Sequence, residues 1–396
     1  MYQEICNQVG TPTYVYDLER IRQNIDRIQT AFRELSPHIH YSAKANANLT
    51  VLKAILACGV GIDAVSGGEI YRALQAGASP QQIVFAGVGK TPHEIQFALE
   101  QGIAWFNVEN IEELSHIQHL ATQLGRDKVQ IALRLNPDVT ADTHPHIATG
   151  HGEAKFGLTQ QVVRQVLDEQ VRYPALNFRG LHVHIGSQLH DIQATCQAIQ
   201  KAVDLAKDYP NIDTINIGGG LPVAYQPDEN LPQYVDFAHA LKPILQGYQV
   251  LIEPGRSIVA DAGVLLARVL YIKQQAGKTF VITDASMTEL IRPALYDAYH
   301  AVLPLVDKAR SSQLVTVTGP VCETTDILAK DRLLPMMQPG DLVVIQTAGA
   351  YGMVMASHYN ARPRPAEVAV EKGHWWVIRR RETWQDLLAD EANYLK

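Results

Sequence analysis

Lys44 stands in YSAKANANLTVLKAIL (41–56), where a run free of Gly and Pro gives way to an apolar helical pattern of Leu49, Leu52, Ile55 and Leu56. A lysine at the junction of strand and helix can be held pointing into a pocket. When its pKa is lowered, its amine forms Schiff bases with carbonyls, pyridoxal phosphate (PLP) among them. Other groups of matching chemistry follow. INIGGGLPVAY (215–225) carries Gly218, Gly219 and Gly220, whose backbone N–H groups can approach an anion. It lacks the G-x-G-x-x-G spacing of a dinucleotide site. LIEPGR (251–256) brings Glu253, Pro254, Gly255 and Arg256. Its carboxylate can accept a hydrogen bond from a protonated pyridine nitrogen, and its guanidinium has the fork geometry to hold phosphate or carboxylate. HVHIGSQ (182–188) puts His182 and His184 on one side of a strand by the period of two. One imidazole can stack on a cofactor ring, and Ser187 can bond a phosphate. Each feature has an ordinary alternative: a solvated lysine, a flexible turn, a structural ion pair. For the histidines the alternative is zinc, but no third ligand with metal spacing follows.

The elements that must position these residues recur with a period. Short apolar runs end in small, polar or charged residues: HYSA before Lys44, IDAV before Ser66, QIVFAG (82–87), AWFNVE (104–109), QIALRLN (130–136), GLHVHIG (180–186), TINIG (214–218) and VLIEPG (250–255). Helical patterns fill several gaps, such as HEIQFALEQG (93–102) and IEELSHIQHLATQLG (111–125). Eight strand-then-helix units spaced mostly about 20–35 residues apart predict a (β/α)8 barrel, with a doubly wound sheet as the alternative. Functional groups of a barrel gather at the C-terminal ends of its strands. Those ends read Lys44, Asp63/Ser66, Asn136, His184/Ser187, the glycine triplet and Glu253/Arg256. The longest gap, 137–158, is rich in His, Thr and Gly and reads as an elaborated loop over that face.

A strand, Thr13 to Tyr16, opens the chain, and a helix capped by Asp17 follows with Ile21, Ile25, Ile28 and Phe32 on one face. After Arg256 the texture becomes β-rich, in GVLLARVLYIK (263–273), TFVITDA (279–285), QLVTVTGP (313–320), DLVVIQTAGA (341–350) and AEVAVEKGHWWVIRR (366–380), the last a hairpin around Gly373. The predicted division is a barrel over 20–261 and a mostly β domain from 1–19 plus 262–396.

Composition narrows the class. The chain has 396 residues, 46% of them hydrophobic and 19% charged, enough for a sizeable core in roughly two to three domains. A net charge of −7 argues against nucleic acid, and Arg379-Arg380-Arg381, the one basic run, reads as a solvated face. No apolar stretch approaches the ~18 residues of a membrane span, and the N-terminus has no signal-peptide pattern. Four scattered cysteines suit neither a disulfide framework nor a zinc cluster. A cytoplasmic enzyme is the expectation.

YSAKAN, IDAVSGGEIYRAL, IVFAGVGKT, FNVEN, RLNPDV, GLHVHIGSQ, NIGGGLPVAY, EPGRSIVADAGVLL, IRPALYDAYH, GPVCETTDILAKDR and GAYGMVMASHYNARPRPAEV occur in order from about Thr11 to Val370. Together they resemble the diaminopimelate decarboxylase family of fold-type-III PLP enzymes, whose members make L-lysine from meso-diaminopimelate. The resemblance implies an alanine-racemase-like architecture and PLP joined to Lys44, with Asp63 as neighbour. It implies His184 against the pyridine face, and Ser187 with Gly218 to Gly220 on the phosphate. Glu253 would pair with the pyridinium, in the EPGR turn of Pro254, Gly255 and Arg256. Tyr351 would reach phosphate and substrate. Arg256, Arg292 and Tyr296 would clamp the substrate's distal carboxylate, and Glu323 would take its distal amine. Cys322 would reprotonate the α-carbon, delivered from the partner subunit of a homodimer. DASMTEL (284–290) and CETTD (322–326) depart mildly from the family pattern.

The implied chemistry is coherent. A substrate with an amino acid at both ends needs a cation and an anion at its far end, and IRPALY with CE supplies both. Ornithine-type decarboxylases need the acid but no arginine clamp. An amino-acid racemase on the same fold, or another basic amino acid as substrate, is the enzymatic alternative. A PLP-binding regulatory protein is the non-enzymatic one, expected to have lost Lys44 or Cys322.

Overall fold

The computed structural model describes residues 1–139, 155–306 and 309–394. They form two compact units: one of 22–223 and 230–258, the other of 1–21, 224–229 and the chain from 259 onward. The elaborated loop expected over 137–158 lies mostly outside the described residues.

The first strand, β1 (Thr13–Asp17), belongs to the second unit. Eight parallel strands follow and make the first unit: β2 (His38–Ser42), β3 (Gly61–Ala64), β4 (Ile83–Phe85), β5 (Trp105–Val108), β6 (Val129–Arg134), β7 (Leu176–His182), β8 (Thr214–Asn216) and β9 (Gln249–Ile252). They pair in chain order, and β9 closes on β2 through His38↔Leu251 and Ile39↔Ile252. The barrel expected from the spacing of apolar runs is therefore the fold observed. These strands are buried on both faces, which is why they read as short continuous apolar runs rather than alternating ones.

A helix follows each of the eight strands, the last of them the single turn Arg256–Val259, and six begin on a side chain that accepts a backbone N–H: Asn48, Ser66, Thr91, Asn110, Thr159 and Asp191. Each cap contributes about 1 kcal/mol and fixes where the loop after a strand must stop. Ser66, which the sequence offered as a possible site residue, is spent in this way. The chain opens on a helix, Tyr2–Gln8, ahead of the strand expected to come first; the next helix, Leu18–Ala31, starts on Asp17, whose Oδ1 accepts from the N–H groups of Glu19 and Arg20.

The second unit is a nine-stranded sheet. Its later strands are β10 (Gly263–Gln275), β11 (Lys278–Thr283), β12 (Val302–Pro304), β13 (Ser312–Thr318), β14 (Ile327–Pro335), β15 (Leu342–Ile345), β16 (Ala366–Glu371) and β17 (His374–Arg379). The order is β14-β13-β11-β10-β1-β16-β17, with β15 paired to both β10 and β12. Ile5, Val15, Leu266, Val344 and Val368 centre its core. On β13 and β14, Leu314 and Leu333 face each other across the ladder, 61% and 71% exposed.

Three details differ from the sequence reading. β7 ends at His182, so His184 lies beyond the strand and the two imidazoles do not share a strand face. β12 and β14 were not anticipated: β12 is only three residues long, and β14 carries Lys330, Asp331 and Arg332 at its centre on the sheet's edge, which splits its apolar residues in two. The basic run is not one solvated face: only Arg380 is exposed. Arg379 pairs with the buried Glu367, and Arg381 donates to the Pro12 carbonyl at 2.7 Å.

Candidate active site

Within the barrel, the expected groups converge at the C-terminal strand ends. Lys44 sits in the single turn Ala43–Ala45, directly after β2 and before the cap at Asn48. The turn after β9 packs against it: Ser42 N–H donates to the Pro254 carbonyl at 3.1 Å. A Cβ on Gly255 would stand 3.0 Å from that of Ser42.

Glu253, just past β9, is buried. Its Oε1 accepts from Asn107 Nδ2 at 2.9 Å and Asn216 Nδ2 at 2.6 Å, while Oε2 lies 3.2 Å from His182 Nε2. Burial alone would push this carboxyl up. The neighbouring His182, the bond from Asn216 and the charge of Lys44 outweigh it and hold Glu253 well below the usual carboxylate range. Glu253 is therefore an anion at neutral pH.

Asp63, at the end of β3, is the opposite case. Burial, then the charge on Glu253, push it up to about 7, against the lowering effect of Lys44 and Ser42. Its Oδ2 is 2.7 Å from Ser42 Oγ, which lies 3.1 Å from the Glu253 carbonyl. The Ser42 hydroxyl donates to Asp63 Oδ2, and its oxygen is held beside that carbonyl. Asp63 Oδ1 is buried with no hydrogen-bond partner among the described residues.

His184 is neutral. Burial first, then the cationic surroundings of Lys44 and Arg134, hold its pKa well below the ordinary value. The Gly219 N–H donates to its Nδ1 at 3.2 Å, which leaves the ring proton on Nε2. The glycine triplet after β8 is required by space and by backbone. Gly218 and Gly220 have φ of +68° and +98°, and a Cβ on Gly219 would stand 2.3 Å from the Glu253 carbonyl oxygen. Ser187 accepts from Arg256 Nε at 3.2 Å.

This set fits PLP. The barrel mouth offers an amine, a flat neutral imidazole, an ionised carboxylate and a glycine loop beside a serine–arginine pair. The orphaned Asp63 oxygen adds an acceptor without a donor.

Sequence reasoning missed Asn107 and Asn216 and did not foresee the role of His182 beside Glu253. Asn107 is the penultimate residue of β5, Asn216 ends β8, and His182 ends β7. Asn216 also accepts the Gly218 N–H at 2.9 Å on Oδ1, so its amide is oriented unambiguously. That one side chain ties the glycine loop to Glu253. The available signal was positional: a polar residue at or one place before the end of an otherwise apolar barrel strand. Asn136, by contrast, faces its own loop, its N–H donating to the Leu158 carbonyl at 2.8 Å.

The remaining expected residues lie in the sheet unit. Arg292 is buried at the start of the turn Arg292–Tyr296. Cys322 and Glu323 are exposed; the Cys322 N–H donates to Asn360 Oδ1 at 2.9 Å, and Glu323 accepts from the Thr324 N–H. Tyr351 has φ of +56°, an uncommon conformation for a bulky residue.

Residues 18–260 match the family described as pyridoxal-dependent decarboxylase, pyridoxal binding domain. The diaminopimelate decarboxylase of Neisseria meningitidis serogroup A is 42% identical over 396 residues, which covers 98% of this chain and 97% of that one. That of Pseudomonas aeruginosa is 42% identical over 98% of this chain and 94% of its own. The crystal structure of diaminopimelate decarboxylase from Helicobacter pylori complexed with L-lysine matches with a TM-score of 0.96 at 40% identity, over the whole of both chains. Barrel, sheet unit and mouth thus define a fold-type-III PLP enzyme. The chain belongs to the pyridoxal-dependent decarboxylases and, among them, to the diaminopimelate decarboxylase family.

Two outcomes follow from the carboxylate geometry. Asn216→Asp removes a donor from Glu253 and adds a second carboxyl, so PLP titrated into cofactor-free protein should bind at least about tenfold more weakly than to the parent chain. Asp63 has a raised folded pKa, so its contribution to stability is full below the unfolded value near 4 and is lost as pH rises through about 7. Cofactor-free Asp63→Asn should therefore melt higher than the parent above pH 7 and converge with it near pH 4, as read by thermal melting across pH.

Proposed function

We propose that this protein is a PLP-dependent carboxy-lyase that converts meso-2,6-diaminopimelate to L-lysine and CO2, the last step of lysine biosynthesis. The reading rests above all on Glu253, a buried carboxylate kept ionised at a barrel mouth that also holds Lys44 and the glycine loop. The relatives' common activity and the L-lysine in the Helicobacter pylori crystal support the choice of substrate. In this reading residues 20–261 form the cofactor domain, and 1–19 with 262–396 form the second domain.

When bound, PLP supplies an electron sink for the pair left on the α-carbon as CO2 departs. Lys44 holds the cofactor's aldehyde carbon through its amine. The N–H groups of Gly218 to Gly220, with Ser187, Arg256 and Tyr351, receive the phosphate. His184 lays its neutral face on the ring. Glu253 keeps the proton on the ring nitrogen, and Asn107, Asn216 and His182 keep Glu253 able to do so. Arg256, Arg292 and Tyr296 take the substrate's distal carboxylate, and Glu323 takes the distal ammonium. Anchoring that end would fix the substrate's orientation toward the cofactor. Cys322 returns a proton to the α-carbon.

The working unit is proposed to be a cytoplasmic homodimer. The exposure of Cys322 in the single chain supports a site completed by a second copy. The uncovered Leu314–Leu333 pair supports an apolar contact between copies. No described helix is long and apolar enough to cross a membrane.

Borohydride reduction of the purified protein should fix a pyridoxyl group on Lys44, located by peptide mass, and Lys44→Ala should lose both the adduct and CO2 release from meso-diaminopimelate. Adduct at another lysine overturns the assignment. Arg292→Ala should lower kcat/KM for meso-diaminopimelate at least about a hundredfold, yet leave PLP affinity within about threefold, consistent with loss of a charge-assisted bidentate contact. Equal loss of both would remove Arg292 from the substrate's binding set.

A further inference from the structure

Arg292 is held by more than its own turn. Its Nη1 lies 2.9 Å from His300 Nε2, and its guanidinium carbon stands 4.6 Å from the centre of the Tyr225 ring. His300 and Tyr225 also touch each other, ring edge to ring face, with centroids 5.4 Å apart and planes at 86°. His300 is 0% exposed and Arg292 7%. All three residues lie within the sheet unit, Tyr225 through the 224–229 segment that belongs to it.

The tautomer of His300 follows from its partners. His300 Nδ1 is 2.9 Å from the Gln346 carbonyl oxygen, which can only accept, so Nδ1 carries the proton. The guanidinium can only donate, so Nε2 must be the acceptor. A neutral imidazole protonated on Nδ1 satisfies both. Strand register fixes the ring in turn: Val302 pairs with Ile345, and the Gln346 N–H donates to the Ala301 carbonyl at 2.9 Å. Residues 300 and 346 are thereby brought side by side at the ends of β12 and β15. Tyr225 is braced independently, its N–H donating to Glu229 Oε2 at 2.8 Å. An arginine side chain has several rotatable bonds. Ordering it before a ligand arrives removes an entropic loss that binding would otherwise bear. A guanidinium held on an aromatic face beside a fixed acceptor is ordered in this way.

We infer that His300 and Tyr225 are positioning residues for Arg292, and that together they set the enzyme's discrimination for a ligand bearing a carboxylate at the end remote from the reacting amine. The inference rests on the proposed reading of Arg292 as the group that receives that carboxylate. Neither residue touches the substrate in this scheme. They act by presenting the guanidinium in one orientation, and His300 does so only as an acceptor.

L-Lysine and 1,5-diaminopentane make a matched pair of probes, because they share the diamine and differ only by the carboxylate. Their binding to the PLP-loaded enzyme can be followed by the cofactor's visible absorbance, and as competitive inhibition of meso-diaminopimelate turnover. His300→Leu should weaken L-lysine at least tenfold and leave 1,5-diaminopentane within threefold. His300→Gln, whose amide can both accept from Arg292 and donate to the Gln346 carbonyl, should restore L-lysine to within threefold of the parent. Tyr225→Leu should repeat the selective loss and Tyr225→Phe should not, which keeps the test decisive if His300→Leu does not fold. Equal weakening of both ligands in either leucine variant would reduce the pair to a structural role and overturn the inference, as would no change in either ligand. A parent enzyme that fails to prefer L-lysine over the diamine would instead overturn the reading of Arg292 itself.

Discussion

A single buried negative charge organises the barrel mouth. Two carboxyl groups, Glu253 and Asp63, are removed from water close enough to raise one another's cost of ionisation, and both cannot stay charged cheaply. The protein decides between them by where it places donors. Two asparagine amides and an imidazole surround Glu253, whereas Asp63 has one serine hydroxyl and an oxygen with no partner among the described residues. The charge therefore settles on Glu253. The glycine loop is wedged against the carbonyl of that same residue, so the anion and the anion-binding loop are held as one piece.

Much of this was legible from the letters, for identifiable reasons. A strand in a closed parallel barrel is covered on both sides, so each of the eight left a short apolar run. Lys44, Glu253 and the glycine triplet stood out because their types, ordinary one by one, supply complementary chemistry when they recur at successive strand ends of one barrel. Asn107 and Asn216 did not, because a single asparagine within or at the end of an apolar run reads as an incidental polar residue of the strand or as the first residue of a loop. His182 was paired with the wrong neighbour: the strand stops at 182, so alternation said nothing about 184. β14 was invisible since its centre is charged, as suits an edge open to solvent. The burial of Arg292 depends on Tyr225 and on the β12–β15 register, and neither is a local property of IRPALY.

The two units treat their functional groups differently, and the contrast has a physical basis. In the barrel Glu253 and Asp63 are buried and held by amide and hydroxyl donors, and they and His184 are shifted in pKa, as a tight grip on a flat, charged cofactor demands. In the sheet unit Cys322 and Glu323 are exposed on a loop, and Tyr351 sits in an unfavourable backbone region with φ of +56°. Such a conformation costs on the order of 1–3 kcal/mol and persists only where its surroundings over-determine it. Arg292 is the exception in that unit. It is buried and braced like a barrel residue, while Cys322 and Glu323 are left open.

The hexapeptide 224–229 leaves the barrel's sequence just after the glycine loop and is counted, by its packing, with the sheet. The boundary between the two units is therefore not a single point on the chain. Shuffling this enzyme with a homologue by one crossover near residue 259 would import β10 to β17 from one parent and leave β1 and Tyr225 from the other. A hybrid that keeps the native brace around the guanidinium needs two further junctions, one on either side of those six residues. Recombination in nature faces the same arithmetic, which favours inheritance of both units as a block.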